Sequence, residues 1–171
     1  MSDNVYLGNP NLKKANTPIE FTEEQIIEFV QCQRDPVYFA NKYVKIVSLD
    51  EGLVPFKPYR FQEKLITNFH ENRFNICKMP RQTGKSTTVV SYLLHYAVFN
   101  DSVNIGILAN KAATARELLG RLQTAYENLP KWMQQGIIAW NKGSLELENG
   151  SKILAASTSA SAVRGMSFNI L

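Results

Sequence analysis

The sequence predicts an α/β domain built on a parallel sheet with helices packed against it. Two strand–helix repeats carry that expectation. Residues 74–78 form a short apolar run that reads as a buried strand, residues 79–87 form a loop, and residues 88–94 read as a helix. Residues 103–109 form a second apolar strand, and residues 112–128 place Leu118, Leu119, Leu122, Ala125 and Tyr126 at helical spacing. Strand, loop, helix, strand, helix in that order is the pattern of parallel strands joined by helical crossovers.

The remaining elements follow in chain order. Residues 1–21 are polar and carry Gly8, Pro10, Asn11 and Pro18, so they read as an extended or poorly ordered arm ahead of a domain over 22–171. Thr22 and Gln25 form a capping box, opening a helix with Ile26, Ile27, Phe29 and Val30 on one side. Asp35-Pro36 restarts the chain as N-cap and first helical residue. Both helices read as plain amphipathic packing. Residues 44–47 look like a short strand and residues 50–52 like a turn. Phe61, Leu65, Ile66 and Phe69 then mark one face of a third helix.

After the second strand–helix repeat, residues 137–140 open an all-β part. Asn149-Gly150 is a hairpin signal between residues 144–148 and the returning strand 151–156. Glu146 and Glu148 fall on one strand face, where a carboxylate pair is conceivable and an exposed face is the better reading. No acidic residue occurs after Glu148.

Composition narrows the class. The chain has 171 residues, enough for a core, and 44% hydrophobic with 20% charged content marks it as globular. A net charge of +4 is compatible with nucleic acid without being diagnostic of it. Lys111, Arg116 and Arg121 could face a nucleic-acid backbone, but a solvated helix face explains them as well. Cys32 and Cys77 lack zinc-ligand spacing and read as reduced, buried thiols. No signal peptide is visible at the N-terminus, and no apolar run approaches a membrane span.

The loop over 79–87 carries the chemistry. A strand, then Gly84-Lys85-Ser86, then a helix is the setting of a phosphate-binding P-loop. Backbone N–H groups and the helix N-terminus would face phosphate oxygens. Lys85 would reach the β and γ phosphates, and Ser86 would place a hydroxyl on Mg²⁺. One position departs from the general pattern, because Met79 stands where the first glycine belongs. Gln62 offers a donor and an acceptor that suit an adenine edge, and Tyr59 or Phe61 could stack on a base. On that stretch alone, a surface glutamine on an amphipathic helix is the better reading.

Taken together, Tyr59-Arg60-Phe61-Gln62, residues 81–87, residues 106–111, residues 140–147 and residues 162–168 resemble the large terminase subunit of tailed bacteriophages, of the contractile-tailed myovirus type. The resemblance implies an ATP-driven motor that packages double-stranded DNA into procapsids, with a C-terminal nuclease in the whole protein. Its P-loop commonly lacks the first glycine and has Arg-Gln before Gly-Lys, so Met79 fits. It implies a P-loop NTPase sheet of the ASCE type with a helical N-terminal segment and a β-hairpin near the C-terminus. By resemblance Gln62 belongs to the adenine-recognition motif. Arg81, Gln82, Thr83, Gly84, Lys85, Ser86 and Thr87 form the phosphate loop, with Lys85 and Ser86 as phosphate and Mg²⁺ residues. Arg81 resembles the arginine that contacts the γ-phosphate or couples hydrolysis to movement. Arg164 lies where related packaging ATPases carry an arginine proposed to reach a neighbour's nucleotide; a structural loop arginine is an equal reading. Implied partners are DNA, the portal protein, the small terminase subunit and further copies in a ring on the procapsid. The implied location is the host cytoplasm, transiently at the portal, and not a secreted or membrane setting.

The family continues past the equivalent of Ile170-Leu171 into a strand ending in Asp-Glu, the Walker B carboxylates. The chain is therefore expected to be the N-terminal piece of a longer protein, truncated before that strand. It should bind nucleotide without turning it over, be marginally stable, and expose residues 74–78 at an unpaired edge. Two rival readings are a helicase or translocase of P-loop type, and a nucleotide-binding assembly module that does not hydrolyse.

Overall fold

A computed structural model describes residues 4–48, 50–158 and 165–171. The chain opens with a hairpin, β1 (Val5–Tyr6) paired antiparallel with β2 (Asn9–Lys13). Here the structure corrects the expected extended arm. Leu12 is buried, the Gln134 Oε1 accepts from the Lys13 N–H at 3.0 Å, and the Gln134 Nε2 donates to the Asn11 carbonyl at 2.9 Å. Lys13 also pairs with Glu148 at 2.7 Å. A single buried leucine between polar neighbours has no periodicity, so these distant partners were invisible in the local pattern.

Helix α1 (Glu23–Arg34) begins at the capping box, with the Gln25 N–H donating to the Thr22 hydroxyl and the Gln25 side chain accepting from the Thr22 N–H. The Asp35 carboxylate then accepts from the N–H groups of Val37 and Tyr38 to open α2 (Pro36–Tyr43). Glu28 joins the two helices, accepting from Lys42 at 2.8 Å and from the Tyr38 and Tyr43 hydroxyls. The packing differs from the expectation in one respect: Ile26 and Ile27 are exposed, and Cys32 is the buried residue of α1. Strands β3 (Lys45–Ser48) and β4 (Gly52–Pro55) form a separate hairpin, and α3 (Arg60–Glu71) follows.

The core lies around α4 (Lys85–Phe99). Ten of its residues are buried, from Thr88 to Phe99, because α2, α3 and α5 (Ala112–Glu127) pack around it. A helix that is apolar on most sides needs such a central position. Helix α5 turns Leu119, Leu122, Ala125 and Tyr126 inward against the sheet. That sheet has four strands in the order β5 (Asn104–Ala109), β8 (Lys152–Ser157), β7 (Ser144–Leu147), β6 (Ile137–Trp140). Only β5 and β8 are parallel, in register from Asn104 opposite Lys152 to Ala109 opposite Ser157. The expected parallel sheet is thus a mixed one. Residues 137–140, expected to open an all-β part, form β6 and lie with β7 and β8 in the sheet that β5 starts.

Both sheet edges receive further backbone. Lys14 bridges Ile137 at the β6 edge, and Ile170 bridges Ile105 in parallel at the β5 edge. There the Gly106 N–H donates to the Ile170 carbonyl at 2.8 Å. Gly106 permits this approach: a Cβ at that position would meet the Leu171 Cδ1 at 2.6 Å and the Phe168 ring at 3.1 Å.

The strand expected at 74–78 is not formed. Residues 74–80 have no regular structure, Phe74 is 84% exposed and Ile76 is fully exposed. A strand needs a ladder partner. The free edge of β5 is met by residues 169–170, so residues 74–78 have no strand edge to join among the described residues. Their exposure corrects the buried-strand reading; the apolar side chains expected to be exposed there are exposed, but not at the edge of a strand. Cys77, expected to be buried, is exposed with them.

Candidate functional site

The loop over residues 79–87 lies between this irregular stretch and α4. Gly84 has φ 73°, the left-handed region, and serves as N-cap of α4 without a side-chain cap; no acidic residue occupies the first turn. The left-handed backbone favours glycine here, and a Cβ would sit 2.5 Å from the Gln62 Nε2, so that side chain would have to shift. Gln82 also has positive φ, 61°, so two left-handed residues flank Thr83. Backbone N–H groups in a turn that leads into a helix N-terminus are a setting in which an anion can be held.

Side chains brace the loop internally. The Thr83 hydroxyl donates to the Pro80 carbonyl at 3.0 Å. The Lys85 ammonium donates to the Met79 carbonyl at 3.1 Å and to the Pro80 carbonyl. It therefore already lies inside the loop, where its charge can be handed from carbonyl oxygens to phosphate oxygens. Ser86 and Arg81 are exposed, and Thr87 is half-buried at the first turn of α4. Left-handed Gly84, an uncapped helix N-terminus and the half-buried Lys85 are donors that could meet a polyphosphate. For Mg²⁺ the loop offers the Ser86 hydroxyl, and among the described residues no group of three carboxylate, histidine or cysteine side chains stands ready as a cation cage.

Gln62, 22 residues upstream in sequence, reaches this loop. It is 4% exposed, which sets aside the surface reading. Its Oε1 accepts from the Tyr59 N–H at 2.8 Å and its Nε2 donates to the Thr83 carbonyl at 3.3 Å. Tyr59 and Phe61 stack with ring centroids 5.8 Å apart and planes 9° from parallel. Both rings are exposed beside a groove of about 570 Å³ that runs past Gln62 to Gln82, Thr83 and Gly84. Its far wall is the β3–β4 hairpin, through Ile46, Glu51 and Val54. The sequence reading missed this wall. The adjacent β-forming Leu53-Val54 directly after the Asp50-Glu51-Gly52 turn was the available signal.

Other candidates do not converge on the loop. Arg164 lies outside the described residues. Glu146 and Glu148 are not a carboxylate pair: Glu146 meets Lys152 at 2.9 Å, and Glu148 meets Lys13. Burial pushes the Glu148 carboxyl up, but hydrogen bonds from Lys13 and from the N–H groups of Asn16 and Gly136 outweigh it and lower its pKa. Arg121 pairs with Glu117 one turn away on α5, as a solvated face would. No helix is long and apolar enough to cross a membrane among the described residues.

The described residues form a mixed α/β fold with a glycine-lysine-serine loop at the head of a buried helix. A narrower assignment comes from a family model described as "Terminase large subunit, T4likevirus-type, N-terminal", which matches residues 76–171, more than half of the chain. The chain belongs to that family and represents an N-terminal portion of a phage large terminase subunit. Its fold is similar to that in the crystal structure of the HK97 bacteriophage large terminase, with a TM-score of 0.63 at 18% identity. The likeness covers 80% of this chain and 29% of that one, so the chain spans less than a third of the HK97 protein's length.

Proposed function

We propose that residues 79–87 bind the phosphates of ATP, and that the chain is the nucleotide-binding part of a DNA-packaging motor. The observation that carries this reading is the Lys85 ammonium held within a loop whose Gly84 is left-handed and whose helix N-terminus has no side-chain cap. Family membership supports the motor assignment. In this reading the loop N–H groups and Lys85 bind β- and γ-phosphate oxygens, and Tyr59 and Phe61 receive the base. Arg81 answers to the γ-phosphate, and Ser86 holds Mg²⁺. The metal supplies charge neutralisation across the phosphates. Arg164 would act at its own or a neighbouring subunit's nucleotide.

Hydrolysis, by in-line attack of water on the γ-phosphate, is proposed for the whole large subunit. Nucleotide binding is proposed for residues 1–171. The whole protein would work on double-stranded DNA in the host cytoplasm, with a portal protein, a small subunit and a ring of its own copies at the procapsid. Fluorescent ATP titrated into the purified chain tests the reading. Saturable binding that Lys85→Ala weakens more than tenfold, at unchanged circular dichroism, is the expected result, since the variant removes a charge-assisted contact to phosphate. Equal binding by Lys85→Ala overturns it.

A further inference from the structure

Helix α1 is held to the core by the buried Cys32 and by Phe29, whose ring meets that of Phe99 at 4.9 Å. Three further apolar residues of the same helix are left open. Ile27 is 70% exposed, Ile26 is 52% exposed, and Val30 is also exposed. Ile26, Phe29 and Val30 form one wall of a groove of about 440 Å³, and Trp132 and Met133 form another. The Phe21 ring meets Phe29 at 6.2 Å and Trp132 at 6.4 Å, edge to face in both cases, and so joins the two walls. The Lys13–Glu148 ion pair also lines this groove. It shares no residue with the groove beside the loop over 79–87, so it stands apart from the nucleotide reading.

The charge along this helix runs against that of the chain. Net charge is +4, yet residues 19–33 hold Glu20, Glu23, Glu24 and Glu28 with no lysine or arginine. Lys42 pairs with Glu28. Glu20, Glu23 and Glu24 are exposed, and no ion pair among the described residues takes them up. Glu23 lies one turn from Ile26 and Ile27, so apolar and acidic contacts fall within reach of one ligand. The exposed lysines nearby, Lys14 and Lys131, belong to the stretches that carry Lys13 and Trp132, not to α1. We propose that the groove is a docking site for a basic amphipathic helix of a partner protein. Its apolar face would seat on Ile26, Val30 and Trp132, and cations along one flank would meet Glu20, Glu23 and Glu24. Helix α1 has 12 residues, a length of about 18 Å, which matches about three turns of a partner helix. A strand would need an open sheet edge, and the β6 edge is already met by Lys14. The same glutamates repel DNA and anionic lipid, so a cationic protein segment is the occupant that they favour.

The test uses the full 171-residue chain and two model helices of about five turns, free of aromatic residues. One has leucine on one face and lysine on the flanks, and the other has glutamate in place of every lysine. Calorimetry measures affinity, and Trp132 emission reports whether the groove is the place of binding. The lysine helix is expected to bind saturably and to shift that emission, and Trp132→Phe should abolish the shift. The glutamate helix should bind roughly tenfold more weakly, the sum of a few exposed ion pairs. Replacing Glu20, Glu23 and Glu24 together by glutamine should bring the two helices close to equal affinity, and replacing them by lysine should invert their order. Ile26→Ser with Val30→Ser should weaken both helices about tenfold or more. Circular dichroism of each variant checks that α1 is still folded. Equal affinity for the two helices in the unaltered chain overturns the proposal, as does binding of neither, or an order unchanged by the lysine replacements. A dimer of the unaltered chain in sedimentation, split by Ile26→Ser with Val30→Ser, would assign the groove to a second copy and overturn it as well.

Discussion

Strand β5 and residues 74–78 are both mostly apolar and meet opposite fates. In β5, Ile105 is 1% exposed, bonded to β8 on one side and bridged by Ile170 on the other. In the upstream segment, Ile76 is fully exposed and the backbone belongs to no ladder. Hydrophobic content does not separate the two. What separates them is access to a strand edge, because an extended backbone is buried only when its N–H and C=O groups are paired. The loop over residues 79–87 lies between these regimes: its helix side is anchored in the core, and its entry side is not.

That contrast can be broken at the anchored side first. Leu119→Ala removes a fully buried side chain of α5 and should cost about 2–5 kcal/mol in urea unfolding. A cost below about 1 kcal/mol would mean that the sheet–helix core is not close-packed. The next largest effect is electrostatic. His95 sits in the middle of α4 with its Nε2 at 2.9 Å from the Cys32 carbonyl, among the rings of Phe39, Tyr92 and Phe99 and 6.0 Å from the His70 ring. Burial lowers its pKa from 6.5 to about 4. Between those values the unfolded chain binds the extra proton, so stability falls as pH drops from 6.5 toward 4, by roughly 3 kcal/mol in all. His95→Phe should flatten that slope in melts taken across the range. A slope that persists unchanged would assign it to other groups.

Smaller effects sharpen the comparison. Lys13→Ala leaves Glu148 half-buried without its partner and should cost about 1–2 kcal/mol, less than the full buried-pair penalty because water reaches part of the carboxylate. Proteolysis within residues 4–16 should speed up accordingly. Ile76→Ser should move stability by no more than about 0.5 kcal/mol, since nothing is lost from the core. A cost of about 2 kcal/mol there would show that residues 74–78 are buried in solution, contrary to the structure.

Much of the helical scaffold was legible from local chemistry. The Thr22–Gln25 capping box, the Asp35-Pro36 restart and the Leu119–Leu122–Tyr126 spacing each specify an element through neighbours within one or two turns, and each is present. The loop's place was equally legible, because a Gly84-Lys85-Ser86 run stands directly ahead of the apolar stretch that forms α4. Non-local pairing was not legible. Residues 4–16 read as an arm because Gln134 and Glu148, which hold them, lie more than a hundred residues away. Cys77 was assigned inside on its type alone, and Ile26 and Ile27 on their period, although neither signal says whether a partner surface is present.

The sequence by itself determined the helices, the strands of the sheet and a glycine-lysine-serine loop at the head of α4, since caps, period and backbone preference act over a few residues. Tertiary structure alone decided that β8 lies parallel to β5, that residues 74–78 stay outside the sheet, and that the buried Gln62 amide meets the backbone of Tyr59 and Thr83. Those outcomes depend on which hydrogen-bonding edge comes within reach of which segment, and proximity in space is not encoded in any local pattern of residues.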